Sequence, residues 1–141
     1  MNKPLLTVEQ LSAGYGDIQV LWDVDVSVNS GEIVCLVGSN GAGKSTLLKT
    51  ISGLIQPSSG RVVFDDKDLT HATAKEIVQA GIAHVPEGRR LFGPLTVLDN
   101  LLLGAYLRTD QNEIRRDVER MYEIFPILAK RRKQQAGTMS G

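Results

Sequence analysis

The eight residues Gly38-Ser39-Asn40-Gly41-Ala42-Gly43-Lys44-Ser45 constrain the fold more than any other part of the chain. They satisfy G-x-x-x-x-G-K-[ST], and with glycine near 7% of residues a chance match in a chain this long is below roughly one in a hundred. The motif works in one setting, with a strand delivering the chain to the loop and a helix leaving it. Ile33-Val34-Cys35-Leu36-Val37 runs apolar without alternation, which predicts a strand buried on both faces. A helix is predicted from Gly43 or Lys44 to about Ser52, with Gly53 as its stop. In that setting the glycines let successive backbone N–H groups turn inward around phosphate oxygens, and the helix N-terminus adds partial positive charge. Lys44 then reaches the terminal phosphates as a point charge, and the Ser45 hydroxyl stands where it can ligate Mg²⁺. The competing reading is a glycine-rich turn carrying a solvated lysine. The motif and its setting together point to a nucleoside triphosphate site.

Composition narrows the classes around that site. The 141-residue chain carries 16 Lys+Arg against 16 Asp+Glu, so bulk charge argues against a nucleic-acid binder, a local basic patch apart. At 42% hydrophobic and 23% charged it has the make-up of a soluble globular protein long enough to bury a core. Cys35 is the only cysteine, which excludes an internal disulfide and fits a reducing compartment; in its apolar run it is expected to be a core thiol. No apolar run follows Met1-Asn2-Lys3-Pro4, so no signal peptide is expected. The most apolar stretch, Leu101 to Leu107, falls far short of the roughly 20 residues that span a bilayer. These features lead to the expectation of a soluble, cytoplasmic protein.

Pattern divides the chain into a strand-rich part, residues 1–94, and a helical part, residues 95–141. Leu5–Leu11 and Val20–Val28 read as strands around the turn Gly14-Tyr15-Gly16-Asp17, and Val24, Val26 and Val28 alternate with polar neighbours. Pro57-Ser58-Ser59-Gly60 is a turn, Arg61–Phe64 a strand, Ala74–Ala80 a short helix stopped at Gly81, and Ile82–Val85 a strand stopped by Pro86. Thr96-Val97-Leu98-Asp99 opens a predicted helix through about Leu107, and Asp110-Gln111-Asn112-Glu113 repeats the capping signal. Ile114, Val118, Met121, Tyr122 and Phe125 then define an apolar stripe that is expected to pack, until Pro126 interrupts it.

Several residues carry a bland and a functional reading side by side. Tyr15, an aromatic in a turn, either covers a strand edge or stacks on a base. Glu87 is a solvated loop acid or an oxygen ligand for Mg²⁺. His71 and His84 have no partner at metal-binding spacing. Lys130-Arg131-Arg132-Lys133 reads as a solvated basic face, with a partner or lipid-headgroup contact as the functional alternative.

Along its whole length the sequence resembles the ATPases of ATP-binding cassette (ABC) transporters. Gly38 through Thr46 looks like their phosphate loop, and Tyr15 in Leu11-Ser12-Ala13-Gly14-Tyr15-Gly16 matches the upstream aromatic that stacks on adenine in that family. Ile51-Ser52-Gly53-Leu54 and Pro57-Ser58-Ser59-Gly60 fall where that family places them. Val85-Pro86-Glu87-Gly88-Arg89-Arg90-Leu91-Phe92, Leu95-Thr96-Val97 and Asn100-Leu101 are similar to one branch, the ATPase subunits of branched-chain amino-acid importers. The resemblance implies an α/β fold of the P-loop NTPase, ABC type, with an antiparallel β layer and a helical subdomain. It implies ATP and Mg²⁺ as cofactors, and nucleotide held by Tyr15, Gly38, Ser39, Asn40, Gly41, Ala42, Gly43, Lys44, Ser45 and Thr46. Lys44 is the expected catalytic residue, with the metal at Ser45 and Glu87, the latter standing where most of the family has glutamine. Membrane-spanning permease subunits and a second ATPase subunit are the implied partners, and the inner face of the membrane the implied location.

Thr138-Met139-Ser140-Gly141 matches only the opening of the family's signature sequence. No apolar run ending in Asp-Glu occurs anywhere in the chain, so the Walker B carboxylates and the later histidine switch are missing from these residues. The expected function is ATP binding within an importer ATPase that energises branched-chain amino-acid uptake. A nucleotide-binding fragment without turnover and the ATPase of a urea or amide importer remain as alternatives.

Overall fold

The structure is a computed structural model and describes residues 3–88 and 90–139. It divides into two compact units, Met1–Val85 and Pro86–Gly141.

In the first unit β1 (Leu6–Tyr15) turns through Gly16 and Asp17 into β2 (Ile18–Val28), and on its other edge pairs with β3 (Ser59–Phe64), which pairs with the short β4 (Lys67–Asp68). All pairings are antiparallel, in the order β2-β1-β3-β4. Strand alternation alone would not bury both Val8 and Leu11. A register shift between them, with Gln10 at φ +45°, inserts the extra residue that returns Leu11 to the core face. The Gln10 N–H, turned out of the ladder, donates to Asp25 Oδ1 at 2.8 Å. Val8, Leu11, Ala13, Leu21 and Val62 then bury against Leu47 and Ile51 of α1 (Lys44–Ile51). The buried positions of α1, Thr46, Leu47, Thr50 and Ile51, repeat at helical spacing and give it one packed face. It stops at Ser52 because Gly53 turns left-handed at φ +69°, where a Cβ would lie 2.8 Å from Ile77 Cδ1. α2 (Ala74–Ala80) opens with a reciprocal capping box between Thr73 and Glu76 and buries Ile77.

Two predicted strands are not strands. Ile33–Val37 and Ile82–Val85 lie outside the sheet, and among the described residues no ladder hydrogen bonds join them to it. Ile33 and Val37 are 92% and 94% exposed, and Val85 is 93% exposed. Cys35 is likewise exposed and not a core thiol. An apolar run becomes a buried strand only where other strands flank it and layers cover both faces. The four strands here pair with one another instead.

The second unit holds α3 (Val97–Leu103), α4 (Gln111–Ile124), α5 (Pro126–Lys130) and a 3-10 turn, Ala136–Thr138. α3 starts at the predicted Thr96/Asp99 capping box but ends at Gly104, short of Leu107. The Asp110 cap predicted for α4 does not form. Arg108 takes that carboxylate in a two-pronged bond, Nε to Oδ1 at 3.0 Å and Nη2 to Oδ2 at 2.7 Å, and also reaches Asp117 at 2.6 Å. A two-pronged pair with a guanidinium outcompetes a single bond from a backbone N–H for the same carboxylate. Along α4 Ile114 is buried and Val118, Met121 and Tyr122 are half-buried, whereas Phe125 at the end of the stripe is exposed. Pro126 interrupts α4 and also begins α5, as its fixed φ allows at a first helical position.

Candidate nucleotide-binding site

The glycine-rich loop reaches α1 through two left-handed glycines, Gly41 at φ +85° and Gly43 at φ +90°. Gly43 is also closely packed, since a Cβ there would lie 2.7 Å from Leu21 Cδ2. The turn inside the loop is closed by the Ala42 N–H donating to Ser39 O at 3.1 Å. At the start of α1 no side chain caps the helix and no acidic residue stands in the first turn. Its leading N–H groups are therefore left for an acceptor from outside, as an oxyanion site requires.

Lys44 folds back over this loop. Its Nζ donates to Gly38 O and to Ser39 O, each at 2.7 Å. An ammonium has three donors, so one is left to meet an incoming oxygen. Ser45 is exposed, and its hydroxyl makes no hydrogen bond among the described residues. Thr46, next on the helix, is buried.

Tyr15 ends β1 beside the same helix. Its hydroxyl hydrogen-bonds the Thr46 side chain, and Lys49 Nζ donates to it at 3.4 Å while sitting 5.7 Å from the ring centroid. These contacts, Thr46 first and then Lys49, hold the phenol below its ordinary pKa. Tyr15 is 48% exposed, and an aromatic ring at such a position offers apolar surface to a flat partner. Lys49 was not among the residues singled out from sequence. Its place one turn beyond Ser45, on the helix that the phosphate motif opens, is the signal that marks it.

The structure thus brings together Tyr15 and residues 38–46 in the first unit. Glu87 belongs to the second unit, exposed in the bend between Pro86 and Gly88. Arg89 of the quoted motif, and Ser140 and Gly141 of the signature opening, lie outside the described residues. Among the described residues no cluster of three or more His, Cys, Asp and Glu can hold a metal ion. Mg²⁺ at a phosphate site needs none, because it is held through one or two protein oxygens together with phosphates and water. The Ser45 hydroxyl, exposed and without a hydrogen bond among the described residues, is an oxygen donor that fits that requirement. His84 is engaged elsewhere, with its Nδ1 2.6 Å from Ser52 Oγ. No helix of the described residues is long and apolar enough to cross a membrane.

Comparison with known proteins identifies the family. The sequence profile described as ABC transporter matches residues 21–141. The chain is 45% identical over 137 residues to the high-affinity branched-chain amino acid transport ATP-binding protein BraG of Pseudomonas aeruginosa, covering 97% of this chain and 58% of that one. Over the same length and shares it is 37% identical to the probable branched-chain amino acid transport ATP-binding protein LivF of Archaeoglobus fulgidus. Among solved structures, a nucleotide-free ATP-binding cassette from an ABC transporter superposes with a TM-score of 0.78 at 27% identity, over 98% of this chain and 60% of that one. A cassette in its ADP conformation superposes with a TM-score of 0.77 at 29% identity, over 99% and 60% of the two chains. The chain therefore spans about three-fifths of the length of the relatives it matches.

Proposed function

The chain belongs to the ABC transporter family, and from that premise we propose that it is the ATP-binding part of an importer ATPase that energises branched-chain amino-acid uptake. The observation that carries the proposal is the held Lys44: its ammonium sits on the Gly38 and Ser39 carbonyls beside an uncapped helix N-terminus. A triphosphate tail entering there meets backbone N–H donors on one side and a full positive charge on the other. Tyr15 offers its ring to the base, with Lys49 and Thr46 fixing the hydroxyl end. Ser45 would supply a metal oxygen from the first turn of α1. Mg²⁺ held there would neutralise charge on the terminal phosphates.

A second reading is favoured by the sequence itself, in which no apolar run ends in Asp-Glu. Without a carboxylate to orient and deprotonate water, the 141 residues bind nucleotide but do not turn it over. Isothermal titration with ATP and AMP, beside a steady-state phosphate-release assay on the same preparation, separates the two. Binding with turnover that Lys44→Ala abolishes supports the enzyme; binding without turnover supports the module. The similarity to BraG and LivF favours branched-chain amino acids over urea or amides as the solute. Uptake of labelled leucine and labelled urea in cells with and without the gene decides that point. The proposed partners are permease subunits spanning the membrane and a second ATPase subunit, with this chain peripheral on the inner face.

A further inference from the structure

Asn100 lies one turn into α3, and both N–H donors of its amide and its oxygen are engaged. Oδ1 accepts the Phe92 N–H at 3.0 Å, while Nδ2 donates to Phe92 O at 3.1 Å and to Thr96 O at 2.9 Å. Reversing the amide would set its oxygen against these carbonyls, so the bonding pattern fixes the orientation. A side-chain amide that pairs with both the N–H and the C=O of one residue substitutes for a neighbouring strand.

The segment so gripped is bonded a second time, to residues 134–137. Val97 N–H donates to Gln134 O at 3.0 Å, Ala136 N–H to Leu95 O at 2.9 Å, and Gly137 N–H to Gly93 O at 3.0 Å. Thr96 and Gln135 form an antiparallel bridge. At one point the backbones nearly touch: a Cβ on Gly137 would lie 3.1 Å from Gly93 Cα and 3.2 Å from Gly93 O. Glycine at both positions allows that approach. In sequence, Glu87 precedes this doubly bonded segment, and Ser140-Gly141 follows residues 134–137.

We propose that Asn100 is a positioning residue, fixing Phe92–Thr96 so that the chain entering the signature sequence is held to the chain leaving Glu87. Two stretches that are far apart in sequence then move as one piece. The inference rests on the sequence-based reading of Glu87 as a metal ligand and of Ser140-Gly141 as the opening of the signature sequence. The bland alternative is that Asn100 only satisfies the backbone of its own loop. In that case its influence ends at Phe92.

Amide hydrogen exchange on the 141-residue chain, resolved by residue, distinguishes the two. Asn100→Ala is expected to speed exchange about tenfold at Phe92 and also at Ala136 and Gly137, with α4 unchanged. Asn100→Asp keeps an acceptor but loses the donor, and is expected to behave as Asn100→Ala at Ala136 and Gly137. Phe92 responding alone, or no amide responding, overturns the proposal. Should Asn100→Ala loosen α4 as well, Gly137→Ala, which leaves Asn100 intact, becomes the deciding variant. Its Cβ presses on Gly93, so faster exchange at Phe92 supports the clamp and unchanged protection overturns it. The measurement needs no nucleotide, so its failure leaves the Lys44 titration standing, and the reverse holds too.

Discussion

Lys44 already hydrogen-bonds two carbonyls of its own loop, so a triphosphate has to compete for an ammonium that is pre-placed. What it gains is a charge-assisted contact worth roughly 1.5–3 kcal/mol. Lys44→Ala is therefore expected to weaken ATP binding about tenfold or more, and AMP binding much less, in calorimetry. Equal losses for both nucleotides would place the lysine elsewhere. Asp68 gives a residue-scale test of another kind. Bonds from the Thr70 hydroxyl, the Thr70 N–H and then Arg61 hold its carboxyl at about 2, below the ordinary 3.8. A depressed carboxylate contributes stability above its unfolded value and loses it as pH falls through the folded one. The contribution of Asp68 is thus present above about pH 4 and gone below about pH 2. Its side chain is 51% exposed, so solvent screening keeps it small. Carbon NMR titration of Asp68 should show the low midpoint, with Thr70→Val raising it more than Arg61→Ala does. At this scale the phosphate loop was legible because its spacing encodes its mechanism. Lys49 was not, since its bond to Tyr15 spans 34 residues of sequence.

Local chemistry was legible in the elements as well, wherever it had no competitor. Thr96 with Asp99 caps α3 as its spacing predicts; Thr73 with Glu76, not singled out from sequence, caps α2 in the same way. Asp110 offered the same signal and lost it to Arg108, a partner that no capping pattern reveals. Thr73→Ala is expected to destabilise the chain by about 1 kcal/mol in urea unfolding, with Thr73→Ser recovering most of it. A null effect would mean that α2 is held by the burial of Ile77 alone. In α3 the leucines divide. Leu98 and Leu101 are half-buried, lining hollows with Ile114 and Val118 of α4, while Leu102 and Leu103 are 43% and 39% exposed. Exposed leucines on one short helix suit a surface that another chain covers. In a transporter assembled with its permease, Leu103→Glu is expected to cut solute uptake severalfold while leaving ATP affinity unchanged. Normal uptake would deny this helix a coupling role.

Over the whole molecule, what sequence could not supply was the neighbourhood of each strand. The antiparallel sheet was readable because β1, β2 and β3 pair with one another and bury a single face on α1. Ile33–Val37 is as apolar as any strand, yet its burial depends on neighbours that these residues do not provide. The first unit consequently presents two extended apolar runs to solvent, Ile33–Val37 and Ile82–Val85. Unpaired backbone flanked by exposed β-branched side chains is a template for pairing with another chain. The 141-residue chain on its own is therefore expected to associate as its concentration rises. Sedimentation velocity across a concentration series should show the weight-average coefficient climbing. Ile33→Lys with Val37→Lys should hold it near the monomer value, because a charge on each side of the run opposes edge pairing. Both substitutions replace fully solvated side chains, so neither opens a cavity in the packed core. A chain that stays monomeric at about 100 µM, well within the range in which exposed edges ordinarily associate, would show that the runs are protected by something other than pairing.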